Sequence, residues 1–257
     1  MIKQALNSFF SIKKKILTVL IGFILFSVIF SLYYSNFNHE FHLDSAHVTI
    51  SNDYVKSLKF IPKYFIDSET FSSYKTNIDY RPILQITYAV NYYLSQSNMW
   101  SYHLFQIILH FLCTFGLFLF FRCLLRQFFK DRDPLFYSLT PFIGALLFAI
   151  HPINSGVVNY ISARSSLLAA VFLIFSFICY LSSFKDDSKR SYRFWALILY
   201  SFALFSKVEA IGAFSDLSFC TSFQKCIQEG LRRLSGIPQV ARSSNWHRFS
   251  TSFSIPS

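Results

Sequence analysis

Residues 16–34 form a run of 19 residues without a single charged side chain. A run of that length matches the roughly 20 residues needed to cross a bilayer. In hydrocarbon, backbone polar groups must be satisfied within the segment, so such a run folds as a helix. Similar runs recur at 104–121, 135–150, 167–184 and 194–214. The third holds Pro141 and Gly144, which membrane helices tolerate. The fifth carries Lys207 and Glu209. The chain is 53% apolar and only 14% charged, against about 25% charged in soluble domains. That balance excludes a disordered chain, a nucleic-acid-binding tail and a collagen-like fibre. Five cysteines in 257 residues, with no CxxC, exclude a disulfide scaffold and argue against a zinc site. The expected fold is all-α: a polytopic membrane bundle of about five spans, with one large outer loop, 35–101, containing interfacial helices.

The distribution of basic residues sets the expected topology. The first run reads as a retained anchor, because it exceeds the 7–15 apolar residues of a signal peptide and no small-residue cleavage site follows. The stretch 81–95 is apolar but interrupted by Gln85, Thr87 and Asn91. If it stays outside the bilayer, 1–15, 122–134 and 185–193 are cytoplasmic and hold 12 Lys or Arg in 37 residues. The opposite side, 35–101 plus 151–165, holds 6 in 82. That is a positive-inside bias. On this reading 81–95 lies on the outer surface, with Tyr80, Tyr88, Tyr92 and Tyr93 at headgroup depth. The net charge of +11 is then largely a topology signal. Three regions are expected: a basic cytoplasmic N-terminus, 1–15; a membrane domain, 16–212; and a polar tail, 213–257. The tail is rich in Ser and Arg and lacks membrane or domain periodicity, so it reads as non-native sequence, as from a shifted reading frame, or as a disordered segment.

Four points on the outer side carry candidate chemistry. Asp44 stands just past the first span, among His39, His42 and His47. A carboxylate there suits a general base or metal ligand at the membrane face; equally, Asp is a common helix N-cap. The histidines have no HExxH-type spacing, so no metal site is assigned. Arg81 precedes Pro82, which suits a first helical position. An Arg at a helix N-terminus can clamp phosphate, or reach to lipid headgroups. His151-Pro152 ends the third run, and Arg164 follows on the same outer side. Lys207 and Glu209 sit near the outer end of the fifth run, where an ionisable pair is costly.

These points occur in an order that resembles a known family. The matching stretches are Phe41-His42-Leu43-Asp44 with Ile50-Ser51-Asn52, Tyr80-Arg81-Pro82-Ile83, and Tyr102-His103-Leu104 running to Leu109-His110. They continue with Phe148-Ala149-Ile150-His151-Pro152, Val158-Asn159-Tyr160-Ile161-Ser162-Ala163-Arg164, and Ser206-Lys207-Val208-Glu209-Ala210-Ile211. Over about residues 16–212 the chain resembles the N-terminal membrane part of GT-C glycosyltransferases. More narrowly, it resembles the branch in which a multi-span domain precedes tetratricopeptide repeats, including the O-mannosyltransferases. The resemblance implies a polyprenyl-phosphate-linked sugar as donor, and a protein or glycan acceptor at the outer membrane face. It places Asp44 where the family carries an acidic residue. The family often has Asp-Asp there; this chain has Asp44-Ser45, which leaves a single-base mechanism and no support for a divalent metal. Arg81, His151, Arg164, Lys207 and Glu209 are then the candidates for binding lipid phosphate or substrate. The later spans and repeats of the family are absent, so a truncated, inactive fragment is one expectation. The alternatives are a non-catalytic membrane scaffold, or a small transporter component using Lys207 and Glu209 as an intramembrane pair. The expected location is an integral membrane, bacterial inner membrane ahead of endoplasmic reticulum, with the N-terminus cytoplasmic and the lipid bilayer as partner.

Overall fold

In a computed structural model, the described residues are 2–38, 46–74, 76–129, 132–183 and 190–212, excepting the side chains of 2–14, 38 and 190. Among them every regular element is helical. The chain divides into two units, Met1–Ile211 and Gly212–Ser257; the tail 213–257 lies outside the described residues. Seven helices organise the first unit: α1 Ile2–Tyr33, α2 Pro82–Ser95, α3 Trp100–Phe128, α4 Phe136–Ile150, α5 Ile153–Asn159, α6 Arg164–Ser182 and α7 Arg190–Ser206.

The long α3 is the central post, packed by α1, α4 and α6. On α1, Ile21, Leu25 and Ile29 recur every four residues and are buried, while Val19, Leu20, Phe23 and Ile24 are exposed. Four-residue spacing keeps one stripe toward the protein. Apolar side chains on the opposite face are what lipid requires. Gly116 brings α3 against α6, for a Cβ there would stand 2.9 Å from Ile174 Cγ2. Small residues at such contacts let membrane helices approach closely. The antiparallel pair α6 and α7 is joined by Ser176 Oγ donating to the Ala196 carbonyl at 2.8 Å.

Three helical segments are long and apolar enough to span: Lys15–Phe37, Trp100–Phe128 and Ile161–Ser182. The pair α4 and α5 passes the same test together but is bent by 64°, as in a broken span or a re-entrant loop. The break falls at His151, whose backbone is extended (φ −66°, ψ 126°), as expected before proline. The expected fifth span is shorter than its apolar run. Helix α7 ends at Ser206 and opens with Arg190 and Arg193. Its uncharged part, 194–206, extends only about 20 Å at 1.5 Å per residue, against a hydrocarbon core of about 30 Å. The chain then turns into a 3₁₀ segment, Val208–Gly212.

The stretch 81–95 is a helix outside the spanning set, and it is more deeply buried than a surface helix would be. Tyr88 is fully buried and its hydroxyl donates to the Ile161 carbonyl at 3.0 Å. That corrects the expected headgroup position. The cause is the polar content of the stretch: Gln85, Tyr88 and Asn91 share one face at three-residue spacing, and all three are buried. Gln85 Nε2 donates to Thr70 Oγ1 at 3.0 Å, and Asn91 Nδ2 to the Ser101 carbonyl at 3.2 Å. The preceding loop folds onto this helix around Asn52, whose Nδ2 donates to the carbonyls of Thr70 and Phe71 at 2.9 and 3.1 Å.

Candidate functional site

One end of the bundle gathers the loop 46–79, the start of α2, the start of α6 and the end of α7. Arg81 is the residue before Pro82, the first residue of α2. Proline costs nothing at that position because the first N–H groups of a helix have no intrahelical partner. Arg81 is about one-fifth exposed and pairs with Asp79 at 2.6 Å. Its other terminal nitrogen donates to Ser165 Oγ at 3.0 Å. Lys207 lies just past the end of α7, and its Nζ donates to Ser166 Oγ at 3.1 Å. Two cations from different elements therefore hold adjacent hydroxyls in the first turn of α6. The positive end of that helix dipole points to the same place.

Glu209 stands 3.8 Å from Lys207 and is two-thirds exposed. Its carboxyl is held below the usual range, first by its own backbone N–H, with Lys207 and Arg81 adding to the effect. The two charges lie beyond the last helical residue of α7 and are partly solvated. Phe205 closes one side, with its ring 5.9 Å from Phe65 and 6.3 Å from Tyr80.

An open cleft of about 390 Å³ runs beside Arg81, lined by Asp79, His47, Tyr88, Tyr160 and Ser162 among others. Burial pushes the Tyr88 hydroxyl up to about 12, against the pull of Arg164 and Arg81. Tyr88 is therefore a neutral hydrogen-bonding wall at physiological pH. His47 sits at the rim with its Nδ1 2.9 Å from Ser72 Oγ and its ring against Tyr74. Asp44, together with His39 and His42, lies outside the described residues.

Arg164 departs from expectation. It does not share an exposed surface with Arg81: it is completely buried. One terminal nitrogen donates to Asn91 Oδ1 at 2.6 Å and to Thr87 Oγ1 at 3.3 Å. The other reaches the Tyr102 carbonyl at 3.2 Å, and Nε faces Gln106 Oε1 at 3.4 Å. The rings of Tyr88 and Phe105 lie 4.7 and 4.8 Å from the guanidinium carbon. These partners are neutral amides, a hydroxyl, a carbonyl and aromatic faces. A planar fork of five donors suits such a cage better than an ammonium would. Arg164 thus ties α2, α3 and α6 together and is not available to a substrate phosphate. His151 also stands apart: it is exposed at the α4–α5 bend, and its Nδ1 accepts from the Ile153 N–H at 3.2 Å.

The residues missed from sequence are the polar ones inside apolar runs: Asp79, Ser165 and Ser166 at the cation site, and Thr87, Asn91 and Gln106 around Arg164. The interruptions at 85, 87 and 91 were the available signal. Their spacing on one helix face points to a polar partner on a neighbouring element. Among the described residues no group of three or more metal-ligating side chains comes together.

Comparison with known proteins gives a consistent result. The chain is 32% identical over 117 residues to protein O-mannosyl-transferase TMTC3 of Mus musculus. It is 31% identical over 134 residues to TMTC4 of Homo sapiens, and 34% over 122 residues to TMTC2 of Homo sapiens. The chain is similar to the protein O-mannosyl-transferases over about half of its length. The similarity covers 46%, 49% and 47% of this chain, but only 12%, 18% and 13% of the respective relatives. The chain thus corresponds to a small part of each relative's length. It carries the likeness to the tetratricopeptide-repeat branch that its ordered motifs pointed to. No protein-family model matches the chain, and no solved structure matches it significantly.

Proposed function

We propose that this membrane domain forms the donor-phosphate face of a glycosyltransferase that uses a polyprenyl-phosphate-linked sugar at the outer membrane surface. The observation that carries the reading is the convergence of Arg81 and Lys207 on Ser165 and Ser166. Sugar transfer from such a donor forms a bond between the acceptor oxygen and the anomeric carbon. The bond from that carbon to the phosphate oxygen breaks, and the lipid phosphate departs with the electron pair. Negative charge grows on the phosphate, and fixed cations beside it lower the barrier. Arg81, preset by Asp79, and Lys207 supply those cations. The acceptor proton needs a base within hydrogen-bond reach. Asp44 takes that role; it stands three residues before His47 in the chain, and His47 lines the cleft. His151 and Arg164 take no part.

The same reading puts the N-terminus and 122–134 on the cytoplasmic side, from the basic bias, and the Arg81 face opposite. The relatives come from mouse and human, which favours a eukaryotic endomembrane over a bacterial inner membrane. Names and likeness support transferase chemistry; the whole activity, with a protein or glycan acceptor, is our extension to this chain.

The test is transfer from a radiolabelled polyprenyl-phosphate mannose by membranes containing the full chain. Asp44→Asn is expected to lower transfer by about 100-fold or more while leaving donor binding intact. Wild-type rates from Asp44→Asn, or no transfer by the parent chain, would defeat the assignment.

A further inference from the structure

The opposite end of the bundle holds a second concavity. It is larger, about 1,020 Å³, and is walled by α1, α3, α4 and α6. Four cations line it: Lys15 from α1, Arg122 and Arg126 from α3, and Arg132 from the connection to α4. Among the described residues no Asp or Glu lines it. Arg122 is anchored, its guanidinium donating to Thr18 Oγ1 at 2.6 Å and lying over the Phe118 ring. Arg132 lies over Phe136, while Arg126 and Lys15 are exposed. Deeper along the helices the lining changes to Val19, Leu119 and Ile178.

A topology signal alone explains basic residues near a membrane surface. It does not explain why residues from three elements face one cleft, or why that cleft continues into apolar helix surface. The arrangement fits an amphipathic anion, with a phosphate among the cations and acyl chains along Val19, Leu119 and Ile178. Basic pockets between membrane helices bind lipid head groups in this way. We propose that this cleft is a binding site for an anionic phospholipid of the leaflet at the basic end, separate from the Arg81–Lys207 site.

The full chain, purified in a mild detergent, would be offered dioleoylphosphatidylglycerol or dioleoylphosphatidylcholine, with retained lipid counted by native mass spectrometry. Phosphatidylglycerol, with its net negative head group, should be retained at least about ten-fold better than zwitterionic phosphatidylcholine, because basic residues attract anionic lipid. The double variant Arg126→Gln/Arg132→Gln removes two exposed cations and should abolish the preference, while Arg126→Lys/Arg132→Lys should keep it. A thermal unfolding midpoint equal to the parent's establishes that the Gln variant is folded. Should it unfold, Lys15→Gln, at an exposed helical position, takes its place with the same expected loss. Equal retention of the two lipids would overturn the proposal, and so would an unchanged preference in the folded Gln variant. Displacement of the lipid by millimolar inorganic phosphate would also overturn it, because the cleft would then be a soluble-anion site.

Discussion

At the scale of single residues, two arginines of similar sequence context do different work. Arg81 stands before a proline at a helix start and keeps a fifth of its surface in water, so it can meet a ligand. Arg164 opens another helix directly before Ser165 and Ser166, yet it is sealed off by neutral acceptors and rings. Sequence alone made both look like headgroup or phosphate ligands. The distinction depends on neighbours remote in the chain: Ser165 of α6 for Arg81, and Thr87, Asn91, Tyr102 and Gln106 of α2 and α3 for Arg164. Replacing Arg164 by Lys removes the fork that reaches Asn91, Tyr102 and Gln106 together, and leaves buried acceptors without donors. The expected loss is about 2–4 kcal/mol, read as a lower unfolding midpoint of the purified chain. Arg81→Lys should unfold close to the parent. If the two variants proved equally stable, the structural role given to Arg164 would be wrong.

At the scale of elements, the apolar runs translate into helices almost directly, because hydrocarbon leaves the backbone no alternative. Length judged them less well. The run 194–214 looked like a span, but α7 stops at Ser206, before Lys207 and Glu209, and a 3₁₀ turn follows. The polar interruptions of 81–95 were visible in sequence. What they bind was not, for their partners lie across the fold: Gln85 reaches Thr70, Asn91 reaches Ser101 and Arg164, and Tyr88 reaches Ile161. The contact between α3 and α6 rests on Gly116. A leucine there would drive into Ile174, whose Cγ2 methyl lies only 2.9 Å from the place its Cβ would take. Gly116→Leu should cost about 1–3 kcal/mol through overpacking, measured by thermal unfolding in detergent. Gly116→Leu/Ile174→Ala should recover part of the loss. No recovery would mean that the close approach lies elsewhere.

At the scale of the whole molecule, the described helices form a bundle with a cluster of cations at each end. One end gathers cations beside an apolar cleft, and the other sets two cations on the first turn of α6 beneath a folded loop. The likeness to the O-mannosyl-transferases spans about half of this chain and a small fraction of each relative. It supports the class of chemistry, while the assignment of the Arg81–Lys207 end as the donor-phosphate site rests on geometry. Asp44, singled out in the sequence by its place after the first span, lies outside the described residues. The decisive measurement is therefore binding of a radiolabelled short-chain polyprenyl-phosphate mannose to the purified full chain. Arg81→Gln/Lys207→Gln should weaken binding at least about ten-fold, two charge-assisted contacts being lost, while Arg126→Gln/Arg132→Gln should bind like the parent. Parent-like binding by Arg81→Gln/Lys207→Gln, or a loss confined to Arg126→Gln/Arg132→Gln, would contradict the placement of the donor site.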